Sequence, residues 1–207
     1  MASTAEIDLA VRYGATAVGL VSAMPSGPGV IAESLIPTLA RRVPPGIGTF
    51  LLTSLQDADA IVEQQRRCRT NTLQLVDAQP VGTYQTLRAA FPGVALVQVI
   101  HVLGPQSVDE ARAVAPYVDA LLLDSGDPSL AIKVLGGTGR VHDWAISAQI
   151  RAAVNVPIFL AGGLTAANAA QAIVEVQPYA LDICSGVRTN GALDEAKLAA
   201  FAEAIAR

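Results

Sequence analysis

The sequence has 207 residues, of which 52% are apolar without counting the 17 glycines and only 15% are charged, against roughly 25% charged in an average soluble domain. The net charge of −4 excludes binding to nucleic acid or to anionic membrane by bulk electrostatics, which needs basic patches to neutralise phosphates. A mean hydropathy of +0.43 suggests a membrane, but the 20 uncharged positions between Arg12 and Glu33 are broken by Gly14, Gly19, Pro25, Gly27, Pro28 and Gly29, leaving no continuous apolar helix of the ~20 residues that a bilayer requires.

Taken in chain order, the amino terminus reads Met-Ala-Ser-Thr-Ala-Glu-Ile-Asp, without the basic and apolar regions of a secretory signal, so a cytoplasmic location is expected. A first helix is expected at about 5–13. Strands follow at 17–22, 48–53, 72–75, 95–101, 120–123, 158–160 and 180–183, short apolar or β-branched runs whose starts recur every 22 to 38 residues. Helices fall between them. At 57–69 the residues Ala58, Ile61, Val62 and Cys68 form one apolar stripe, and at 193–206 Leu198, Phe201 and Ile205 form another.

This alternation is the signature of βαβ units around a parallel sheet. It predicts a single domain over 1–207, an α/β TIM (βα)8-type barrel. Eight helices but only seven strands are counted, and the strand that should precede the first helix is missing. Barrel chemistry gathers at the carboxyl ends of the strands, where four groups of residues stand out. Asp124 ends the run Leu121-Leu-Leu-Asp-Ser125 and is either a turn cap or a general acid or base tuned by burial. Gly136, Gly137 and Gly139 lie in a connection from Asp124 to His142, longer than is usual for such loops, and suggest a glycine-rich lid whose N–H groups approach an oxyanion. Gly162 and Gly163 follow the strand that would be seventh in a complete barrel, and Ser185 and Gly186 follow the eighth. Loops after these two strands bind phosphate in many barrels.

The two cysteines, Cys68 and Cys184, have no paired spacing, so neither a disulfide framework nor a metal site is expected. Cys68 belongs to a helix stripe. Cys184 shares the strand parity of Asp182 and is the thiol nearest the expected site. His101 and His142 read as hydrogen-bonded loop or core residues, and Asp143 as the N-cap of a helix starting near Trp144.

Together, Leu-Leu-Leu-Asp-Ser at 121–125, Gly-Gly-Thr-Gly-Arg at 136–140 with Asp143-Trp144, Leu-Ala-Gly-Gly-Leu at 160–164 with Asn168, and Asp182 with Ser-Gly-Val at 185–187 resemble the phosphoribosylanthranilate isomerase family. The resemblance implies an Amadori rearrangement of N-(5-phosphoribosyl)anthranilate in tryptophan biosynthesis, an intramolecular aldose-ketose isomerisation that needs no cofactor. It implies Asp124 as the general acid that opens the sugar ring. Gly162, Gly163, Ser185 and Gly186 match the phosphate cradle, and Asp182 matches an aspartate beside the substrate.

The departures all fall on the other half of the site. The family's first strand, Lys-Ile-Cys-Gly, carries the cysteine that acts as base at C2, and neither strand nor cysteine is found here. The family's Ser-Pro-Arg is Gly27-Pro28-Gly29, and its Gln-Leu-His-Gly is Gln74-Leu75-Val76-Asp77. Three readings follow: an isomerase whose first strand and cysteine lie upstream of Met1 or whose base is replaced by Cys184 or Asp182, a phosphosugar-binding barrel without catalysis, or an isomerase of another phosphorylated sugar. The expected partner is a phosphorylated sugar, with no nucleic acid and no membrane. A missing strand also exposes unpaired backbone on 17–22 and 180–183. Direct pairing of those strands, or a homo-oligomer covering the gap, is therefore expected.

Overall fold

The computed structural model describes residues 1–25, 27–126 and 141–206. The chain opens with helix α1 (Thr4–Arg12) and continues β1 (Ala17–Val21), α2 (Ile36–Arg42), β2 (Gly48–Thr53), α3 (Ala58–Cys68), β3 (Thr72–Leu75), α4 (Val81–Ala90) and β4 (Ala95–His101). There follow α5 (Gln106–Val114), β5 (Ala120–Asp124), α6 (Trp144–Ala153), β6 (Ile158–Leu160), α7 (Ala169–Val176) and β7 (Ala180–Leu181). A short hairpin, β8 (Arg188–Thr189) and β9 (Ala192–Leu193), precedes the last helix, α8 (Glu195–Ile205). The strands β1 to β7 form one parallel sheet in chain order, so the barrel of seven strands and eight helices expected from the sequence is the fold found among the described residues. Counted from the carboxyl-terminal end, β6 and β7 take the places of the seventh and eighth strands of a complete barrel.

Local chemistry explains where the helices begin. The carboxylate of Asp57 accepts from Ala60 N at 2.8 Å, that of Asp143 from Ala145 N at 2.9 Å and that of Asp194 from Lys197 N at 3.1 Å, while the hydroxyl of Ser3 accepts from Glu6 N at 3.2 Å. Each satisfies a helix N–H that would otherwise lack a partner, an effect worth about 1 kcal/mol. Asp143 is thus the N-cap expected.

Strand alternation divides the core in two. Leu96, Ile100, Leu121, Leu123, Ile158 and Leu160 point outward, into the layer shared with the helices. Val97, Val99, Ala120, Leu122 and Ala161 point inward and pack with Val76 inside the barrel. Both strand faces are therefore dry, which removes charged residues from most strand positions and accounts for the low charge of the chain. Cys68 is fully buried in the outer layer, and burial pushes its thiol up to about 11. No helix among the described residues is long and apolar enough to cross a membrane.

The strand gap is handled differently from the first expectation. β1 and β7 do not pair; β7 is only two residues long, too short to extend a ladder around the opening. The free edge of β1 is instead met by its own chain. The Met1 amine donates to Gly19 O at 2.5 Å, and Ile31 N donates to Val21 O at 3.0 Å. On the β7 side, the hairpin β8–β9 turns through Asn190 (φ 51°) and Gly191 (φ 82°), the left-handed pair that a tight two-residue hairpin requires. Arg188 of this hairpin holds Glu6 of α1 through two hydrogen bonds of 2.8 and 3.1 Å.

Candidate active site

Register decides which side chains face the barrel mouth. Leu123 is paired with Leu160, and Leu160 with Leu181. The ladder continues one step further, because Ala161 N donates to Leu123 O and Asp182 N donates to Leu160 O, both at 2.8 Å. Asp124, Ala161 and Asp182 are thus successive members of one inward-facing layer. All three line a cavity at the carboxyl ends of the strands, together with Gly19, Val21 and Met1.

Asp124 is 7% exposed. Burial raises the pKa of its carboxyl, opposed only in part by the Ser125 N–H that hydrogen-bonds to it. Asp182 is solvent-exposed, its surface opening into the cavity, although protein atoms crowd around its carboxyl. Burial, and then the charge of Asp124, push its carboxyl up to about 6, against the opposing pull of the Met1 amine and the Ile183 N–H. Both carboxyls are thus held above their ordinary range, by burial first and, for Asp182, also by the charge of Asp124.

Cys184 also lines this cavity, although not through strand parity: β7 ends at Leu181, and Cys184 adopts φ −126° and ψ −78° at the entrance of a 3-10 turn, Ser185–Val187. Burial raises its thiol, with Asp182 adding to the effect and the Arg188 guanidinium opposing it.

The two glycine turns meet where the sequence places them. Gly162 (φ 82°) and Gly163 (φ 65°) leave β6 in the left-handed region, where a side chain is strained. A Cβ on Gly162 would lie 2.9 Å from Ser125 N. Asn168 ties the turn to α7, accepting from Thr165 N at 2.7 Å and donating to Gly163 O at 3.0 Å. From the other side, a Cβ on Gly186 would run into the Leu164 carbonyl, so the two loops touch backbone to backbone. Gly163, Ser185 and Gly186 line a second, adjoining cavity with Thr165 and Lys197. The arrangement suits a phosphoryl group, since backbone N–H groups can approach it and no carboxylate stands among the residues lining this cavity.

The remaining sequence candidates are placed as follows. Gly136, Gly137 and Gly139 lie outside the described residues. His142 bonds Ser147 Oγ at 2.7 Å, and burial pulls its imidazole down to about 4; His101 bonds Val76 O at 3.0 Å. Both are structural, as expected. Gly27, Pro28, Gly29, Gln74 and Val76 all line the main cavity, so the departures in sequence fall on one wall. Sequence reasoning missed Arg188 and Lys197. Arg188 had a usable signal, because Arg188-Thr189-Asn190-Gly191 announces a hairpin through its Asn-Gly pair; Lys197 sits on an ordinary helix and had none.

Comparison with known proteins agrees with this geometry. The family model described as N-(5'phosphoribosyl)anthranilate (PRA) isomerase matches residues 2–204. N-(5'-phosphoribosyl)anthranilate isomerase 2 of Methanosarcina mazei is 36% identical over 195 residues, covering 93% of this chain and 85% of that protein. In fold, the chain resembles the phosphoribosyl anthranilate isomerase of Thermus thermophilus, with a TM-score of 0.82 at 23% identity, covering 100% of this chain and 95% of the other. It also resembles a phosphoribosyl anthranilate isomerase in complex with reduced 1-(o-carboxyphenylamino)-1-deoxyribulose 5-phosphate, with a TM-score of 0.79 at 20% identity, covering 98% and 93%.

Proposed function

The chain belongs to the N-(5'-phosphoribosyl)anthranilate isomerase family, and we propose that it catalyses the rearrangement for which that family is named, the conversion of N-(5'-phosphoribosyl)anthranilate to the 1-deoxyribulose 5-phosphate, a step of tryptophan biosynthesis. The observation that carries this reading is the position of Asp124, a buried carboxyl at the barrel mouth beside the glycine turns at 162–163 and 185–186 that line the cavities there. The turns bind the phosphate and so hold the ribose over Asp124. Asp124 then gives its proton to the ring oxygen as the C1–O bond breaks. The bond pair goes to oxygen, and the nitrogen lone pair forms the C=N bond of the open-chain iminium.

The aromatic ring of the substrate takes the apolar wall formed by Val21, Met24, Leu52, Val76 and Leu122. Gly136, Gly137 and Gly139 are assigned to a lid over the phosphate on the sequence match alone. The cytoplasm is the proposed compartment, as suits a family of biosynthetic enzymes. A barrel that only binds a phosphosugar would have no use for a proton-holding carboxyl at this point, and a different phosphosugar substrate is not favoured by the family match.

The test is direct. Purified protein should consume fluorescent N-(5'-phosphoribosyl)anthranilate and restore growth of a tryptophan auxotroph that lacks this step. Binding of the reduced deoxyribulose phosphate without any turnover would instead identify a binding protein.

A further inference from the structure

We infer that Gln74 recognises the carboxylate ortho to the amine on the substrate's aromatic ring, its side-chain amide donating to that group from the wall of the main cavity. The inference rests on the isomerase reading and deepens it, naming what selects a carboxylated aromatic amine over a plain one.

Gln74 lies in β3, whose register pairs it with Leu52 of β2 and Val97 of β4. Val97 points into the barrel, so Gln74 does too, and Val76, two residues further on, shares its face. The Gln74 side chain is 5% exposed, lines the main cavity and has no hydrogen-bond partner among the described residues. Other buried glutamine amides are taken up by the protein: Gln65 donates to Thr70 O at 2.6 Å and Gln98 to Leu75 O at 3.0 Å. The Gln74 amide opens only on the cavity, and a ligand that fills the cavity removes water from it. A ligand with no partner to offer there would leave a buried polar group unsatisfied, which costs more than one ordinary hydrogen bond gains.

The place of β3 in the sheet decides which part of the substrate Gln74 meets. β3 stands three strands from β6 and four from β7, so the phosphate turns at 162–163 and 185–186 lie across the barrel from it, with Asp124 on β5 at the sugar between. The aromatic end is what reaches β3. Leu52, beside Gln74 in the ladder, and Val76, above it on the same face, belong to the wall that takes the ring.

At that end the substrate carries one charged group, its carboxylate. Among the described residues that line the cavity between Gly19 and Val99, Gln74 alone has a side-chain hydrogen-bond donor. Ser185 belongs to the phosphate turns, and Arg188 is held by Glu6 and the Gly191 carbonyl at 2.8 and 2.7 Å. An amide N–H bonds a charged acceptor more strongly than a neutral one, and apolar walls around the pair weaken screening by solvent.

Calorimetric titration of the full chain tests the assignment with two ligands, reduced 1-(o-carboxyphenylamino)-1-deoxyribulose 5-phosphate and its counterpart with a plain phenyl ring. The proteins are wild type, Gln74→Leu and Gln74→Met, each also melted thermally. Wild type should bind the carboxylated ligand at least about ten-fold more tightly than the phenyl one. Both variants should lose at least about ten-fold in affinity for the carboxylated ligand and bind the phenyl ligand no more weakly than wild type. Their Tm should not fall, because an amide without a protein partner gives way to an apolar side chain among apolar neighbours. A wild type that does not distinguish the two ligands, variants that keep full affinity for the carboxylated one, or variants that lose both alike with a lowered Tm overturn the inference. Turnover by the wild type then still upholds the isomerase reading. A wild type that binds neither ligand overturns both.

Discussion

Glu6 and Arg188, 182 residues apart, form a two-pronged ion pair across the opening of the barrel. Their side chains are only 13% and 11% exposed. The same carboxylate also accepts from Leu193 N at 3.1 Å and Ala2 N at 2.8 Å, so a single side chain joins residues 1–3, α1 and the β8–β9 hairpin. Burial works against the charge of Glu6, but the hydrogen bonds from Arg188, Ala2 and Leu193 outweigh it and bring the carboxyl to about 2, from an ordinary 4.5.

Glu6→Gln should therefore lower stability by at least ~2 kcal/mol, since it leaves Arg188 recessed without its counter-charge. For a chain of this size that corresponds to a Tm lower by roughly 4–8 °C. The pH dependence has a definite sign. A carboxyl depressed in the folded state stabilises above its unfolded value and loses that contribution as pH falls through its folded value. The Tm difference between wild type and Glu6→Gln should thus be constant above about pH 5 and shrink between 4.5 and 2, as followed by thermal melts across that range.

Gly186→Ala should damage the phosphate cradle more than any other single methyl there. The added Cβ would strike the Leu164 carbonyl, which is backbone and cannot swing aside. The loop must move, and affinity for the phosphorylated ligand should drop by at least about ten-fold, equivalent to ~1.4 kcal/mol. Gly162→Ala meets Ser125 N at 2.9 Å and adds the strain of φ 82°, and should act in the same direction. Calorimetric titration with the reduced deoxyribulose phosphate checks both.

In the sheet, Tyr84 Oη donates to Gln98 Oε1 at 2.9 Å, and Gln98 Nε2 donates to carbonyls of Leu75, Asp77 and Val99, each at 3.0 Å. Both side chains are 1% exposed. Tyr84→Phe leaves a buried amide oxygen without its donor and should cost about 1–3 kcal/mol, read as a fall in the denaturant midpoint at unchanged m-value.

The sheet was legible in the sequence because buried parallel strands are short apolar runs with clear punctuation. Residues 48–53, 72–75, 95–101 and 158–160 coincide with β2, β3, β4 and β6. The run at 180–183 extends beyond β7, since apolar content alone cannot reveal that the chain leaves the sheet after Asp182 to build the Ser185–Val187 turn. The phosphate turns and Asp124 were legible as motifs attached to strand ends. The closure of the gap was not: Glu6 and Arg188 are ordinary charged residues in sequence, and the Met1–Gly19 bond exists only once the barrel has curved. The facing of Asp124 and Asp182 lies between these cases, because parity gives each side chain its direction while the register of three strands is needed to place them in one layer.

The measurement that bears most directly on the account is turnover of N-(5'-phosphoribosyl)anthranilate by the wild type and by Asp124→Asn, side by side with binding of the reduced deoxyribulose phosphate. The account requires turnover in the wild type, a kcat lower by about 10²–10⁴ in Asp124→Asn, and equal binding by both. A wild type that binds without turnover, or an Asp124→Asn protein that turns over at the wild-type rate, would contradict it.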